Sequence, residues 1–453
     1  MKINQLLSKK IIVIGLGKEG FSALKFLVRI KHPHFMCADQ CLKKNLLPEI
    51  KDFLIKNKIN FQGGKNYLKD LKKFEVIIKS PGIPLKKFTK SEKEKIILST
   101  DIFLANVDRS KVIGITGTKG KSTTCHCLYQ FFKAAKIAVN LAGNIGQSVF
   151  DFLPLNSKKS ADIFIIELSS FQLEKVHNSP HIAAITSFFP DHLDHHQTLS
   201  SYQKAKENIF AFQQKGDFLL AEKKFLQKNK IIKGVKKIAL NQEIEIKKNA
   251  FYFQQKKIAE SKNLTLIGKV NLKNLALAIA IAKIFNIKNN IIQKTLPLIK
   301  PLTHRLNFIG QKKGIEFWNN SIAVNPTATL EDLKFFKSKI GTLFLGGADR
   351  FLDFSFLAQE IIKLQIPVLI FFPSAGKRIW QEIKKASLKI NPHYQPLVLH
   401  TKEMSRAIDF TLKNCPFGKI ALLSPACSSF SLWKNFQERG NDFQKCFQRH
   451  SAQ

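Results

Sequence analysis

The sequence lacks three features that would each define a class of protein. No apolar run reaches the ~18 to 20 residues that a membrane-spanning helix needs, and the longest uncharged runs contain Asn, Gln or Ser. The seven cysteines are scattered without a CxxC pair, which predicts free thiols rather than a disulfide framework. The N-terminus enters a strand pattern without the features of a signal peptide. We therefore expect a cytoplasmic protein with no membrane span.

Arginine is also scarce. Of the 73 basic residues only 8 are Arg and 65 are Lys, although the formal net charge is +40. Proteins that read nucleic acids favour Arg for bidentate contacts, and here Lys is spread through every region. Abundant Lys, Ile, Asn and Phe are typical of an AT-rich genome, so we expect no nucleic-acid partner. The alternative, a lysine-rich nucleic-acid binder, predicts steeply salt-dependent retention on DNA.

Three stretches of the chain alternate short apolar strands with amphipathic helices, the pattern of a parallel sheet covered by helices on both faces. The first begins at "KKIIVIGLG" (9–17), the second at "KVIGIT" (111–116) and the third near "PLIKPLTHR" (297–305). With 453 residues and 44% apolar content, the chain is long enough for several cores. We predict three consecutive α/β domains, at residues 1–107, 108–300 and 301–453.

A glycine loop, "GLGKEG" (15–20), lies between a predicted strand and helix. Gly15, Gly17 and Gly20 would let the backbone approach a diphosphate at the helix N-terminus, and Asp39 could accept from a ribose or base. The first stretch is short for a full dinucleotide domain, so a mononucleotide diphosphate fits better. A tight structural turn and a nicotinamide-dependent oxidoreductase are the alternatives, and the oxidoreductase leaves the next loop unexplained.

A second glycine loop, "GITGTKGKST" (114–123), departs from the strict P-loop pattern, because Ile115 stands five residues before Gly120 where that pattern has Gly. The residues that bind phosphate and magnesium in such loops are present. Gly117 and Gly120 permit a loop of inward N–H groups, Lys121 can reach the β- and γ-phosphates, and the Ser122–Thr123 pair offers hydroxyls to Mg²⁺. The loop predicts an ATP site.

Three further features are ambiguous from the residues alone. Glu167 ends the apolar run "FIIE", where a magnesium ligand or an ordinary polar strand end would both fit. The run "PDHLDHH" (190–196) is rich in metal-capable groups, yet such runs are common in solvated loops. Lys206, in "YQKAKENIF", carries no signal in a chain with this many lysines.

Taken together, these motifs resemble the Mur ligases, ATP-dependent amide-forming enzymes of peptidoglycan precursor synthesis. The resemblance covers essentially the whole chain, with "TGTKGKST", "GNIG" (143–146), "ELSSFQLE" (167–174), "THR" (303–305), "GGADR" (346–350) and "SPACSSFSLWKNFQERG" (424–440) in the expected order. It implies an N-terminal Rossmann-like UDP-binding domain, a central P-loop ATPase-like domain and a C-terminal Rossmann-like domain that binds glutamate.

Two of the motifs, "ELSSFQLE" and "SPACSSF", are most similar to the branch of the family that adds D-glutamate to UDP-N-acetylmuramoyl-L-alanine. That resemblance implies an acyl-phosphate intermediate, with the nucleotide substrate, ATP and D-glutamate as the partners of a monomeric enzyme.

The resemblance also implies roles for individual residues. Those for uridine and its diphosphate are Gly15, Lys18, Glu19, Asp39, Gln40, Ser80, Pro81 and Gly82, with Asn144 at the muramoyl substrate. Those for ATP are Gly117, Thr118, Lys119, Gly120, Lys121, Ser122, Thr123, Asn271, Arg305 and Asn320. The implied catalytic residues are Lys121, His192, Lys206 and Arg305. The implied ligands of two Mg²⁺ ions are Ser122, Glu167, His192 and Lys206, the last as a carbamylated lysine. Those for the incoming glutamate are Arg350, Ser429 and Phe436.

One segment departs from the family pattern. In "NNSIAVN" (319–325), Asn320 stands in place of an Asp, Ile322 in place of a Lys and Val324 in place of a Thr. Arg350 stands where some members have Lys. Fewer polar groups around the amino-acid pocket leave two alternatives open: a related ligase that adds L-glutamate to the same nucleotide substrate, and a ligase that has lost its activity.

Overall fold

The structure, a computed structural model, describes residues 1–154, 162–189, 193–266, 268–349 and 352–449. The chain divides into two compact units, residues 1–300 and 301–453. Three β-sheets follow one another along the chain, which confirms the predicted α/β class. The three domain ranges remain predictions. Within the described residues, every helix is too short or too polar to cross a bilayer.

The first sheet has five parallel strands in the order β3-β2-β1-β4-β5. The order reverses direction between β1 and β4, and the carboxyl ends at such a switch point form a crevice for ligands. The elements are α1 (Ile3–Leu7), β1 (Ile11–Ile14), α2 (Lys18–Arg29), β2 (Phe35–Asp39), α3 (Pro48–Lys56), β3 (Phe61–Gly63), β4 (Val76–Lys79), α4 (Lys90–Lys95), β5 (Ile96–Ile97) and α5 (Ser99–Asn106).

The second sheet has nine strands in the order β14-β13-β12-β11-β10-β9-β6-β8-β7. Strands β6 to β11 pair in parallel, and β12 to β14 form an antiparallel ribbon at one edge. The elements are β6 (Val112–Thr116), α6 (Lys121–Ala134), β7 (Val139–Gly143), β8 (Ile163–Glu167), α7 (Ser170–Leu173), β9 (Ile182–Ile185), α8 (Leu193–His196), α9 (Leu199–Glu207), β10 (Phe218–Glu222), α10 (Lys223–Lys228), β11 (Lys236–Leu240), β12 (Ile244–Lys247), β13 (Ala250–Phe253), β14 (Lys256–Glu260), α11 (Lys269–Ile284) and α12 (Asn289–Thr295).

One hydrophobic core runs continuously from the first sheet into the second. Phe26 of α2 stacks on Phe150 with ring centroids 4.9 Å apart, and Phe103 of α5 meets Phe164 of β8 edge-on at 5.2 Å. All four side chains are buried. Aromatic pairs of this kind add about 0.5–1.5 kcal/mol each beyond the area that they bury. The first two sheets are therefore packed together within residues 1–300.

The second unit contains the third sheet, with six strands in the order β15-β16-β20-β17-β18-β19. Strand β15 is antiparallel to β16, and the other pairs are parallel. The elements are β15 (Asn307–Lys312), β16 (Ile315–Asn319), α13 (Pro326–Phe336), β17 (Ile340–Gly346), α14 (Ser355–Lys363), β18 (Val368–Phe372), α15 (Gly376–Ile390), β19 (Leu397–His400), α16 (Met404–Asn414), β20 (Ile420–Leu423) and α17 (Phe436–Arg449).

Candidate functional site

The first glycine loop joins β1 to α2 at the switch point of the first sheet. Gly15 has φ +86°, and its N–H donates to the carbonyl of Ala38 at the end of β2, 2.8 Å away. A Cβ at Gly15 would lie 2.8 Å from Cβ of Ser80, and a Cβ at Gly20 would lie 1.8 Å from the Gly15 carbonyl oxygen. Only glycine therefore fits both positions, and Gly15 lies against the "SPG" turn (80–82).

Asp39, at the end of β2, braces this loop. Its Oδ2 accepts from the N–H of Leu16 at 2.6 Å, and its Oδ1 accepts from the N–H of Cys41 at 2.8 Å. The neighbouring Gln40 is exposed and lines a cleft of about 480 Å³. The other lining residues are Leu42, Gly64, Lys65, Tyr67 and Lys87, none of which the sequence singled out.

Lys18 and Glu19, in the first turn of α2, contact groups of the second sheet region. Nζ of Lys18 donates to the carbonyl of Gly146 at 2.5 Å. Oε2 of Glu19 accepts from the Ser99 hydroxyl at 2.5 Å, and Oε1 accepts from the side-chain amide of Gln172. Burial raises the pKa of Glu19, and those two hydrogen bonds oppose the rise. Both residues join the regions around the first and second sheets, while their contact with uridine remains a prediction.

Lys79, the last residue of β4, forms a second link between the two sheets. Its side chain is fully buried, and Nζ lies 3.6 Å from Oε2 of Glu174. The same ammonium lies 3.5 Å from the Ser80 carbonyl and 3.3 Å from the Pro81 carbonyl. Burial lowers the pKa of Lys79, and Glu174 raises it. Lys79 thus fixes the turn that carries the predicted uridine residues.

Glu174 also meets two histidines of the metal-capable run. Its Oε1 lies 3.1 Å from Nε2 of His195 and 3.7 Å from Nδ1 of His196. One ligand atom from each of the three residues falls within 4.8 Å of the others, close enough to hold a cation. Lys79 already faces the same carboxylate, and the ring of Phe171 lies against both imidazoles. The carboxylate of Glu174 therefore already has an ammonium partner in Lys79.

The second glycine loop joins β6 to α6. Gly117 has φ +149° and Gly120 has φ +89°. A Cβ at Gly117 would lie 2.0 Å from Oγ1 of Thr186, and one at Gly120 would lie 2.2 Å from Oδ1 of Asn274. Ile115 remains inside β6, where it is fully buried. The turn therefore starts at Gly117, which explains why the strict P-loop glycine is replaced.

The main chain of this loop is held by the segment that follows β9. The N–H of Thr118 donates to the Ser187 carbonyl, and the N–H of Lys119 donates to the Ser187 hydroxyl, both at 2.9 Å. The Thr118 hydroxyl lies 3.0 Å from the hydroxyl of Tyr202 on α9. These contacts fix the loop between the carboxyl ends of β6 and β9.

Two lysine ammonium groups converge on one oxygen of the loop. Nζ of Lys121 and Nζ of Lys206 each donate to the carbonyl of Gly117 at 2.8 Å, so the two nitrogens lie within twice that distance of each other. Lys206 is 2% exposed, and Nζ lies 4.8 Å from the centroid of the Tyr202 ring. Two cations held this close create a strong local preference for an anion. The structure thus brings Lys206 to the phosphate loop.

Glu167, at the end of β8, is 1% exposed. Its Oε1 accepts from the side-chain amide of Asn144 at 2.9 Å, and its Oε2 is buried with no hydrogen-bond partner among the described residues. Burial raises the pKa of the Cys125 thiol, Glu167 raises it further and Lys121 lowers it, so both charges lie near that thiol. A buried carboxylate oxygen without a donor, close to the phosphate loop, fits a metal ligand.

The remaining predicted ATP residues of the first unit lie on two packed helices. Ser122 and Thr123 are buried in the first turn of α6, and Oγ1 of Thr123 has no hydrogen-bond partner in the described part of the chain. Asn271 lies in the first turn of α11, one turn before Asn274, whose side chain contacts Gly120. Asn274 had no signal in the sequence, because an Asn within an apolar helix is unremarkable by pattern.

In the second unit, Asn320 follows β16 and is 7% exposed. Its Nδ2 donates to Oδ2 of Asp332 at 2.5 Å, and its Oδ1 accepts from the N–H of Leu306 at 3.1 Å. The residue before Leu306 is Arg305, so Asn320 fixes the turn that carries this predicted catalytic residue. An Asn has both the donor and the acceptor that these contacts use, which gives a structural reason for the departure from Asp.

The predicted glutamate residues that the structure describes lie after β20. Ser429 is buried, and its carbonyl accepts from the N–H of Trp433 at 3.0 Å. Phe436 begins α17, and its carbonyl accepts from the Ser321 hydroxyl at 2.8 Å. The start of α17 therefore contacts the loop after β16 at the carboxyl edge of the third sheet. Two predicted site residues, His192 and Arg350, lie outside the described residues.

Two family models match the chain. The model described as Mur ligase middle domain matches residues 115–292, and the model described as Mur ligase MurD-like, N-terminal domain matches residues 9–95. The two matches contain the second and the first glycine loop respectively.

Curated relatives match along nearly the whole length. A protein of Clostridium tetani is 30% identical and covers 96% of each chain. A protein of Caldanaerobacter subterraneus subsp. tengcongensis is 30% identical, over 97% of this chain and 98% of its own. One of Staphylococcus saprophyticus is 29% identical, over 99% and 98%. All three are named UDP-N-acetylmuramoylalanine–D-glutamate ligase.

Solved structures share the fold at lower identity. MurF ligase from Thermotoga maritima, in complex with ADP, aligns with a TM-score of 0.58 at 15% identity, over 98% of this chain and 99% of its own. UDP-N-acetylmuramate-alanine ligase MurC from the same organism aligns with a TM-score of 0.57 at 15% identity, over 98% and 100%. At this identity the likeness concerns the fold alone.

Proposed function

We infer the function from one premise: the chain belongs to the Mur ligase family. We propose that it is an ATP-dependent ligase that joins D-glutamate to UDP-N-acetylmuramoyl-L-alanine in peptidoglycan precursor synthesis. Full-length relatives that carry this name support the proposal. ATP as the phosphate donor is supported by the second glycine loop and by the ADP bound to the MurF relative.

The observation that carries the proposal is the convergence of Lys121 and Lys206 on the Gly117 carbonyl. The phosphate oxygens of ATP would supply full charges at the same place, so the loop is organised for a polyanion. Lys206, brought from α9 to the phosphate loop, also stands where the ligase chemistry needs a ligand for a cation that neutralises the γ-phosphate as it is transferred.

Magnesium is the cation that fits the remaining donors. The orphaned Oε2 of Glu167 and the buried Ser122 hydroxyl are hard oxygen ligands beside the loop, and His192 is the proposed third ligand. We propose that Lys206 is carbamylated, which would replace its ammonium by an anion able to hold a second ion. Bound magnesium would neutralise charge on the phosphates.

Different residues of the chain would bind the two substrates and stabilise the reacting groups. Gly15, Asp39 and the "SPG" turn would hold the UDP part of the substrate as a handle. Asn144, hydrogen-bonded to Glu167, would hold the muramoyl part next to the phosphate loop. Lys121 and Arg305 would stabilise the negative charge that develops when the substrate carboxylate attacks the γ-phosphate, the bond to the bridging oxygen breaks and ADP leaves. The glutamate amine would then attack the acyl-phosphate, and phosphate would leave as the amide forms.

The deciding experiment is phosphate release from ATP with UDP-N-acetylmuramoyl-L-alanine and each glutamate enantiomer. We expect release that requires the nucleotide substrate and D-glutamate together. Release with L-glutamate only would establish the alternative ligase that the segment 319–325 left open. No release with either enantiomer would refute both, and would favour a ligase that has lost its activity.

The carbamate has a test of its own. Lys206→Ala should abolish turnover, and added bicarbonate or chloride should partly restore it, since a small anion can occupy the place of the carbamate. Lys204→Ala is the matched control, because Lys204 lies on the same helix and is exposed. Full activity in Lys206→Ala would contradict the assignment.

A further inference from the structure

Arg439 is a fully buried arginine in the second unit, and its hydrogen-bond acceptors among the described residues are all neutral. Its Nε donates to the Ser321 hydroxyl at 3.0 Å, and its two terminal nitrogens donate to three main-chain carbonyls. These belong to Ser321 at 2.8 Å, Cys427 at 3.0 Å and Gly346 at 3.3 Å. The guanidinium therefore connects three separate loops.

Among the described residues of the second unit, no Asp or Glu forms an ion pair with Arg439, whereas Arg378 pairs with Asp349 at 2.7 Å. Arg439 also lies in the first turn of α17, where the helix dipole disfavours a cation. Burial lowers the pKa of Arg439 to about 10. A buried charge that is not neutralised is expensive, so its presence calls for an explanation beyond packing.

The location of Arg439 beside the third sheet suggests a reason for this buried charge. Its acceptors, Ser321, Gly346 and Cys427, lie at or just beyond the ends of β16, β17 and β20, which are adjacent strands of the third sheet. Ligands of open α/β sheets bind at the carboxyl ends of the strands. The Ser321 hydroxyl that accepts from Arg439 in turn donates to the carbonyl of Phe436.

We propose that Arg439 positions the pocket for the incoming amino acid and makes that pocket selective for an anionic one. The guanidinium holds the three loops at the pocket's floor, and its uncompensated charge is neutralised when a dicarboxylic amino acid such as glutamate binds. Arg439 is a positioning and specificity residue, since it reaches the substrate through the loops and through its field. The inference rests on the proposed function and deepens it.

The test compares Arg439→Met with Arg439→Lys in the complete chain, using the phosphate-release assay. Removing the charge should raise the KM for glutamate by about tenfold or more, while the KM values for ATP and the nucleotide substrate stay within about twofold. Lysine keeps the charge but cannot span three loops, so its KM for glutamate should stay within about threefold of the parent value, with a lower kcat. Arg406→Met, on the exposed face of α16, is the control for net charge and should change nothing.

The outcomes distinguish a failure of the proposed function from a failure of the role inferred for Arg439. A parent protein without glutamate-dependent release refutes the proposed function and this inference with it. A parent protein that is active, with an Arg439→Met variant whose KM for glutamate is unchanged, overturns this inference alone. Equal increases of KM in the Met and Lys variants also overturn it, because a purely structural role would not distinguish the charge. Where the Met variant does not fold, Arg439→Gln removes the same charge with a polar side chain, and its KM for glutamate decides by the same limits.

Discussion

Replacing Gly120 by alanine tests whether the second glycine loop works as the structure describes. Gly120 has φ +89°, and an added Cβ would lie 2.2 Å from Oδ1 of Asn274 and 3.0 Å from its Cγ. Both atoms belong to a side chain of α11, which is packed against α6. The substitution therefore introduces backbone strain and a steric conflict with one identified neighbour.

The two costs can be separated. A positive φ costs an L-residue about 1–2 kcal/mol, and overpacking a close contact costs a further ~1–3 kcal/mol. Gly120→Ala should therefore lower the free energy of unfolding by about 2–5 kcal/mol. Gly216→Ala is the matched control, because Gly216 has φ +93° with no atom within 4 Å of the added Cβ, and it should cost only the ~1–2 kcal/mol of strain.

Denaturant unfolding and phosphate release together measure the result. A loop displaced by about 1 Å costs on the order of 100-fold in turnover, so Gly120→Ala should be nearly inactive, whereas Gly216→Ala should keep its activity. Adding Asn274→Ala to Gly120→Ala removes the conflict and should show a coupling energy of about 1–3 kcal/mol. Additive effects in this double-mutant cycle, or normal activity in Gly120→Ala, would refute the described contact between the loop and α11.

Three further predictions concern buried charges. Glu167→Gln should lower kcat by about 100-fold or more and leave the free energy of unfolding nearly unchanged. The amide keeps the hydrogen bond to Asn144 but is a poor magnesium ligand. A normal kcat would contradict the role of Glu167 as a metal ligand. Burial raises the pKa of Glu19, so the contribution of Glu19 to stability falls as the pH rises from 4.5 through the folded-state pKa. The unfolding free energy of Glu19→Gln minus that of the parent should therefore grow across this pH range. A difference that does not change with pH would contradict the raised pKa. Lys79→Met should lower the free energy of unfolding by about 3 kcal/mol, because it leaves Glu174 buried without its ammonium partner. The double variant Lys79→Met, Glu174→Gln should recover part of this loss. If it recovers none, the ion pair is not the cause of the loss.

The two glycine loops and the three sheets could be predicted because their signals are local. Glycines between an apolar strand and a helix predict a tight loop, and Gly15 and Gly117 have the positive φ that favours glycine in such a loop. The antiparallel ribbon β12–β14 carried no such signal. Its turns place positive φ on Lys248–Asn249 and Gln254–Gln255, without the glycine that normally marks a tight hairpin.

Residues of the candidate site could be predicted from the sequence only where the residue type and its neighbours along the chain indicate a function. Lys206 is one of 65 lysines, and nothing in its neighbours along the chain places it on the Gly117 carbonyl. Its importance came from a family resemblance, and the structure supplies the contact. Lys79 and Arg439 were missed for the same reason: a buried charge is recognised by what surrounds it, and long-range packing decides that.

The continuous core between the first and second sheets has a consequence for how this enzyme can be taken apart. Phe26, Phe103, Phe150 and Phe164 belong to one packed layer, although the predicted boundary at residues 107 and 108 runs between them. A fragment ending at residue 107 would expose Phe26 and Phe103 to water and should aggregate rather than fold. Exchange of whole modules between relatives should instead be made at residues 300 and 301, where the two compact units meet. The two glycine loops should therefore be transferred together, as parts of a single piece.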